Sequence, residues 1–206
     1  MNGGGILRYK YHSFLIAIIA ISFVLSGCTA NSVSAFEDGT LPLEEFQSED
    51  GAFEYEKLPI GLSKEETAKR LGLENIGEPI ATLEQFETFS LPEDKGLTFE
   101  DWTVTTQLEF KEEKLDLIQF QFREYKGNES DTLVAAQSLF DELTKTLEDK
   151  YGDFSTTANE DQTYLSHKWE SHSNDMHTAI DLSILSQDGK LLSLSLFVGQ
   201  QSYANE

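Results

Sequence analysis

Hydrophobic positions along this chain fall into several distinct rhythms, and each predicts an element. Residues 14–25 form a twelve-residue apolar run broken only by Ser22. That is too short for the about 20 residues a membrane-crossing helix needs. Over 28–57 no period of 2 or 3.6 persists. The acids Glu37, Asp38, Glu44, Glu45, Glu49, Asp50, Glu54 and Glu56 face a single Lys57 there, which predicts a flexible acidic tether. The scattered Phe36, Leu41, Leu43, Phe46, Phe53 and Tyr55 read either as a short recognition segment or as anchors on the domain that follows.

A helix is predicted over 63–72. Ser63 and Glu66 make a capping box, each side chain satisfying an otherwise orphaned backbone N–H, and Gly72 can take the left-handed C′ conformation. So short a helix cannot stand alone, so Leu62, Ala68 and Leu71 must pack on something. Strand chemistry follows over 79–125. Residues 83–91 read as a strand with apolar spacing nearer three than two. Trp102, Val104, Thr106, Leu108 and Phe110 alternate cleanly, which buries one face and wets the other. After a polar turn at 111–114 the chain returns over 115–125 with Ile118, Phe120 and Phe122 on one face. The slip between Leu117 and Ile118 predicts a bulge.

The second helix begins at Ser130 or Asp131 and carries Leu133, Ala136, Phe140, Leu143, Leu147 and Tyr151 at three-and-four spacing, closed by Gly152. Three strands follow, over 163–169, 178–185 and 191–198. The last of these alternates through Leu192, Leu194, Leu196 and Val198, and Asp188-Gly189 is a hairpin signal between the final two. The order helix, three strands, helix, three strands predicts an α+β domain over 58–206, built from a helix plus an antiparallel three-stranded sheet. Two such units in tandem, over 58–126 and 127–200, are one organisation; a plain two-layer domain without a repeat is the other. Val104, Leu108 and Lys114 match Ile180, Ile184 and Lys190 at a constant offset of 76 residues.

This order, opened by Ile60-Gly61-Leu62-Ser63-Lys64-Glu65-Glu66 through Leu71-Gly72, resembles the β-lactamase inhibitor protein family and small envelope-assembly lipoproteins. The resemblance covers 58–198 by topology and one short motif. It implies a scaffold that binds proteins through its sheet face. None of that family's inhibitory residues has a matching motif here.

At the N-terminus, Arg8 and Lys10 precede the apolar run with no acid to offset them, the layout of a secretory signal over 1–27. The residues Leu25-Ser26-Gly27-Cys28 resemble the lipobox of bacterial lipoprotein precursors. That resemblance implies cleavage between Gly27 and Cys28, a diacylglycerol on the Cys28 thiol, and a mature protein anchored on the extracytoplasmic face of a bacterial cell membrane. A simple cleaved signal with an incidental Cys28 is the competing reading. Each buried acyl CH2 contributes about 0.8 kcal/mol, so two or three chains hold a protein firmly.

Charge narrows the partners. The formal net charge is −22, and removal of 1–27 takes away two basic side chains and no acid. Nucleic acid would be repelled, as would an anionic lipid surface lying against the domain. A protein with a basic face or a divalent cation would be attracted, and a solvated acidic surface without a partner is the plainer reading. With Cys28 acylated no thiol remains for a disulfide, so the core alone must hold the fold.

Candidate chemistry is sparse. His167, His172 and His177, with Asp175, are ligand types suited to zinc, in a spacing that matches no metal motif and reads equally well as a polar loop. No cofactor is indicated. There is no Gly-x-Ser-x-Gly elbow and no phosphate-cradling loop before a helix, so no catalytic residue is assigned and the chain reads as non-enzymatic. Asn128-Glu129-Ser130 fits a glycosylation sequon, a signal that usually carries no meaning in the bacterium the lipobox implies. Trp102, Phe120, Phe122 and Trp169 read as core, which leaves Tyr164 as the aromatic expected on a wet face. The functional expectation is a membrane-anchored binding module engaging another protein; the alternative is a lipoprotein that binds a small solute or a cation.

Overall fold

The structure, a computed structural model, describes residues 35–36, 39–126, 132–173 and 176–200, all within one compact unit spanning Ser32–Glu206. The clean alternation noted above becomes the centre of a sheet. Strand β4 (Trp102–Lys111) buries every second residue, and its hairpin partner β5 (Lys114–Tyr125) buries Ile118, Phe120 and Phe122 on the same side. Strands β8 (Met176–Gln187) and β9 (Lys190–Gln200) repeat the arrangement with Ile180, Leu182 and Ile184 against Leu194, Leu196 and Val198. The face they share is covered by helix α1 (Lys64–Leu71) and helix α2 (Thr132–Tyr151), the latter burying Ala136, Leu139, Phe140, Leu143 and Leu147. Each such aliphatic or aromatic side chain removed from water contributes about 1.5–3 kcal/mol.

The remaining strands are β1 (Ala81–Leu83), β2 (Phe86–Ser90), β3 (Leu97–Phe99), β6 (Ser155–Ala158) and β7 (Tyr164–Ser173). All nine strands among the described residues belong to one antiparallel sheet, ordered β1-β2-β4-β5-β9-β8-β7-β6, with β3 paired to β4 beside β2. This overturns the expected α+β class and its three-stranded units. The protein is mostly antiparallel β, with two α-helices among the described residues. The expected halves are not separate sheets, because β5 pairs with β9 along Leu117↔Gly199 to Phe122↔Leu194. Apolar faces that match in width bury each other's edges when they join, and an unpaired central edge would leave a row of backbone groups unsatisfied.

Within the single sheet the two ends are related by a pseudo-twofold. Adding 76 to each residue number turns Leu108↔Ile118 into Ile184↔Leu194 and Thr88↔Glu109 into Tyr164↔Leu185. The register shift after Glu109 recurs after Leu185. The tight turns correspond too, with positive φ at Glu112 and Glu113 and again at Asp188 and Gly189, as a two-residue hairpin turn of this hand requires. The dyad passes through the pair Phe120↔Leu196. The shift leaves one extra residue in each hairpin, Asp116 and Leu192. The first bulge therefore lies just ahead of the expected slip at Leu117 and Ile118, and Leu192, expected in the core, is 54% exposed.

Other local differences have local causes. The strand expected over 83–91 is two strands, β1 and β2, reversed by a turn in which Glu84 has φ of 52°. Strand β6 was not expected, because its Ser-Thr-Thr-Ala sequence is exposed throughout and carries no period. The capping box on α1 is present as expected, with the Glu66 amide donating to Ser63 Oγ, the Ser63 amide donating to Glu66 Oε2 at 2.9 Å, and Gly72 in the left-handed conformation.

The largest correction concerns 39–57. In place of a free tether, this stretch is a strap packed into the core. Phe46 is fully buried and stacks on Phe120 at 5.7 Å between ring centroids. Tyr55 meets Phe46 edge-on, and its hydroxyl donates to the Ala35 carbonyl. The Tyr151 hydroxyl at the end of α2 accepts from the Phe46 amide at 3.1 Å and donates to the Leu43 carbonyl at 2.8 Å. The Phe53 amide donates to Thr178 Oγ1 at 2.7 Å. The strap follows the contour of the core, so its anchors recur at no fixed interval, and much of its hydrogen bonding goes to distant residues instead of sequence neighbours. The periodicity that marks helices and strands is absent for that reason.

Candidate functional site

With helices and strap on one face, the pleat sends the other half of each strand's side chains to the opposite face, which is helix-free among the described residues. The pairing registers set out rows across it. One row runs Gln107, Gln119, Phe197, Asp181, Lys168 through β4, β5, β9, β8 and β7. The row beside it runs Thr88, Glu109, Leu117, Gly199, Ala179. In that second row the positions on β9 and β8 carry no side chain and a methyl group. The deficit opens a hollow of about 670 Å3, floored by Leu117, Ala179 and Gly199 and rimmed by Gln107, Glu109, Gln119, Tyr164, Asp181 and Phe197.

Gly199 is demanded by the backbone as well. Its φ is +150°, and a Cβ there would fall inside contact distance of the Asp116 carbonyl oxygen and 2.8 Å from the Leu117 Cα. Strand β9 therefore closes on the β5 bulge only because this residue is glycine.

The rim is polar and incompletely satisfied. Gln119 Nε2 donates to Ser195 Oγ, and Gln121 Nε2 to Gln107 Oε1, each at 3.5 Å, the outer limit of a hydrogen bond. Gln121 itself lies outside the lining, with its Oε1 buried and without a hydrogen-bond partner among the described residues. Asp181 is half-buried and accepts from Ser166 Oγ at 2.7 Å. Burial raises its pKa above the ordinary aspartate value, opposed by the Ser166 hydrogen bond and the nearby Lys168. A carboxylate whose folded pKa is raised costs stability at neutral pH.

Of the residues singled out from the sequence, Tyr164 lies on the rim as its wet-face phase implied. Phe197 was missed. Its signal was legible as an aromatic out of phase with Leu194, Leu196 and Val198, on the face those residues leave wet. The histidines do not converge. His167 points to the helix side, its ring 4.8 Å from Phe140 and 4.4 Å from Phe154, with Nδ1 2.9 Å from Thr144 Oγ1. His172 and His177 are a cross-strand pair at the far end of β7 and β8, stacked at 4.2 Å, with His177 Nε2 3.1 Å from Glu170. The pleat puts positions 167 and 172 on opposite faces of β7. Asp175, Gly27 and Cys28 lie outside the described residues, as do the signal segment and the sequon. Among the described residues no group of three or more His, Cys, Asp or Glu side chains is placed to hold a metal, and no helix is long and apolar enough to cross a membrane.

His167 makes stability depend on pH. Burial holds its pKa below 6.5, against the opposing pull of Asp141 and Glu148. The unfolded chain binds this proton more tightly than the folded one. The stabilisation is therefore fully present above about pH 6.5 and is lost as pH falls toward the lower folded value. The expected result is that between pH 7.5 and pH 5 wild type loses melting temperature relative to His167→Gln, read by circular dichroism at both pH values.

No protein-family model, curated protein or solved structure matches this chain.

Proposed function

We propose that this protein is a lipid-anchored, non-enzymatic binding module on the extracytoplasmic face of a bacterial membrane, and that its ligand enters the hollow on the helix-free sheet face. The observation that carries this reading is the hollow itself. Its volume falls in the range of roughly 300–1,000 Å3 typical of ligand sites, and it combines an apolar floor with convergent polar groups. The anchor rests on the lipobox at Leu25-Ser26-Gly27-Cys28, and the non-enzymatic reading on the lack of a nucleophile elbow or phosphate loop in the sequence.

The size of the hollow favours a small solute as the occupant. A protein partner with a basic face is the second reading, favoured by the acids Glu109 and Asp181 on the rim and by the net charge of −22. Like charges on a partner would be repelled and a basic face attracted.

The experiment compares wild type, Cys28→Ser and Phe197→Ala in intact cells, each with a C-terminal tag. Membranes are washed in high salt, and crosslinked partners are captured. Retention of wild type on the membrane with release of Cys28→Ser supports the anchor; equal retention sinks it. A stoichiometric polypeptide captured by wild type and lost in Phe197→Ala supports the protein reading. If no polypeptide is captured and a ligand screen shows no thermal shift in wild type, the binding-module reading fails.

A further inference from the structure

We propose that the hollow recognises a neutral, polyhydroxylated ligand, a saccharide unit whose ring lies against Phe197 and whose hydroxyls are read by Gln107, Gln119 and Asp181. This names the ligand class for the site proposed above and rests on that reading.

Three features carry it. The first is the hydrogen-bonding inventory. Each glutamine amide both donates and accepts, and among the described residues the Gln119 side chain donates to Ser195 and the Gln107 side chain accepts from Gln121, each only at 3.5 Å. Adjacent hydroxyls, which also donate and accept at close spacing, satisfy such groups in a way that a purely cationic or purely apolar ligand cannot. Asp181 adds a carboxylate with one oxygen held by Ser166, so the group is oriented and its other oxygen can accept from a ligand hydroxyl.

The second feature is the order of side chains across the strands. Phe197 sits between Gln119 and Asp181 in its row. A flat apolar ring therefore lies between two polar readers, which suits the apolar C–H face of a pyranose whose edges carry hydroxyls. The floor of Gly199 and Ala179 leaves the depth for that ring.

The third feature is charge. The lining holds Glu109 and Asp181 and no lysine, arginine or histidine. Lys168, beside Asp181 in its row, lies outside the lining and is paired with Glu170 at 3.7 Å. A uronate, a phosphorylated sugar or any other anionic ligand would therefore meet two acids in the lining, which disfavours it. A neutral sugar meets no such cost.

The test uses the full chain in detergent. Thermal shift and calorimetry are run against neutral di- to tetrasaccharides of glucose, galactose, mannose and N-acetylglucosamine, with uronate-containing oligosaccharides as the anionic arm. Purified insoluble cell-wall glycan in a pull-down forms a third arm. The expected result is saturable binding of at least one neutral saccharide, with no anionic binder. Affinity should fall by about tenfold or more in Phe197→Ala and in Asp181→Asn. Without ligand, Asp181→Asn should melt at or above the wild-type temperature, which separates lost recognition from lost folding. Binding only to the insoluble glycan assigns the ligand to a wall polymer, and binding only to soluble oligosaccharides to a free sugar; either supports the class. The proposal is overturned if no neutral saccharide saturates at millimolar concentration, if anionic sugars bind equally, or if both variants bind like wild type. A polypeptide captured through Phe197 with no saccharide response would overturn the saccharide class while leaving the hollow's face of the sheet as the binding site.

Discussion

Replacing Phe46 by alanine is expected to destabilise the protein by about 3–5 kcal/mol, lowering the melting temperature by about 6–20 °C. The side chain is fully buried, with its ring stacked on Phe120 and met edge-on by Tyr55. Nothing can collapse into the space it leaves without moving the strap, which is tied to the Tyr151 hydroxyl through the Phe46 amide and the Leu43 carbonyl. The measurement is thermal and denaturant unfolding of the full chain in detergent. A residue in a free tether would change neither, so an unaltered midpoint would show that 39–57 does not pack as described. Glu49→Ala, on the exposed surface of the same strap, should leave the midpoint within about 0.5 kcal/mol of wild type.

Gly199→Ala should cost about 2–4 kcal/mol, combining backbone strain at a φ that side chains rarely adopt with overpacking against the β5 backbone. Gly189→Ala is the control. Gly189 also has positive φ, 72°, but a Cβ there would meet nothing within 4 Å, so only the conformational cost of about 1–2 kcal/mol applies. The difference between the two isolates the close approach of β9 to Asp116 and Leu117. Equal losses would mean that the approach is not tight. Because Gly199 also floors the hollow, its variant should weaken ligand binding more than its lost stability explains, which calorimetry on the folded fraction would read.

Much of the central sheet was legible in the sequence. Trp102 through Phe110 alternates because one face is buried and the other wet, and that cause acts within a single strand. The same holds for the Ser63–Glu66 box and the turn at Asp188-Gly189, whose chemistry is complete within four residues. The constant offset of 76 residues between the halves was visible as well, since matched hairpins need matched turn and bulge positions.

The candidate site was legible only in fragments. Tyr164 was expected on a wet face, and Phe197 could have been found by the same reasoning. The hollow could not, because it is produced by which floor and rim residues stand beside one another on five different strands. Gly199 and Ala179 make a depression only when β9 and β8 lie together and Leu117 lies across from them on β5.

By itself, then, the sequence determined the local elements: where strands alternate, where helices are capped, where hairpins turn, and that the surface would be strongly acidic. Tertiary structure alone decided that β5 joins β9 into one sheet, that residues 39–57 wrap the core as a strap, and that three histidines of one neighbourhood part to opposite faces. The physical reason is range. Periodicity records what each residue owes to its nearest neighbours, whereas strand pairing, strap docking and the hollow come from burial shared among residues far apart in the chain.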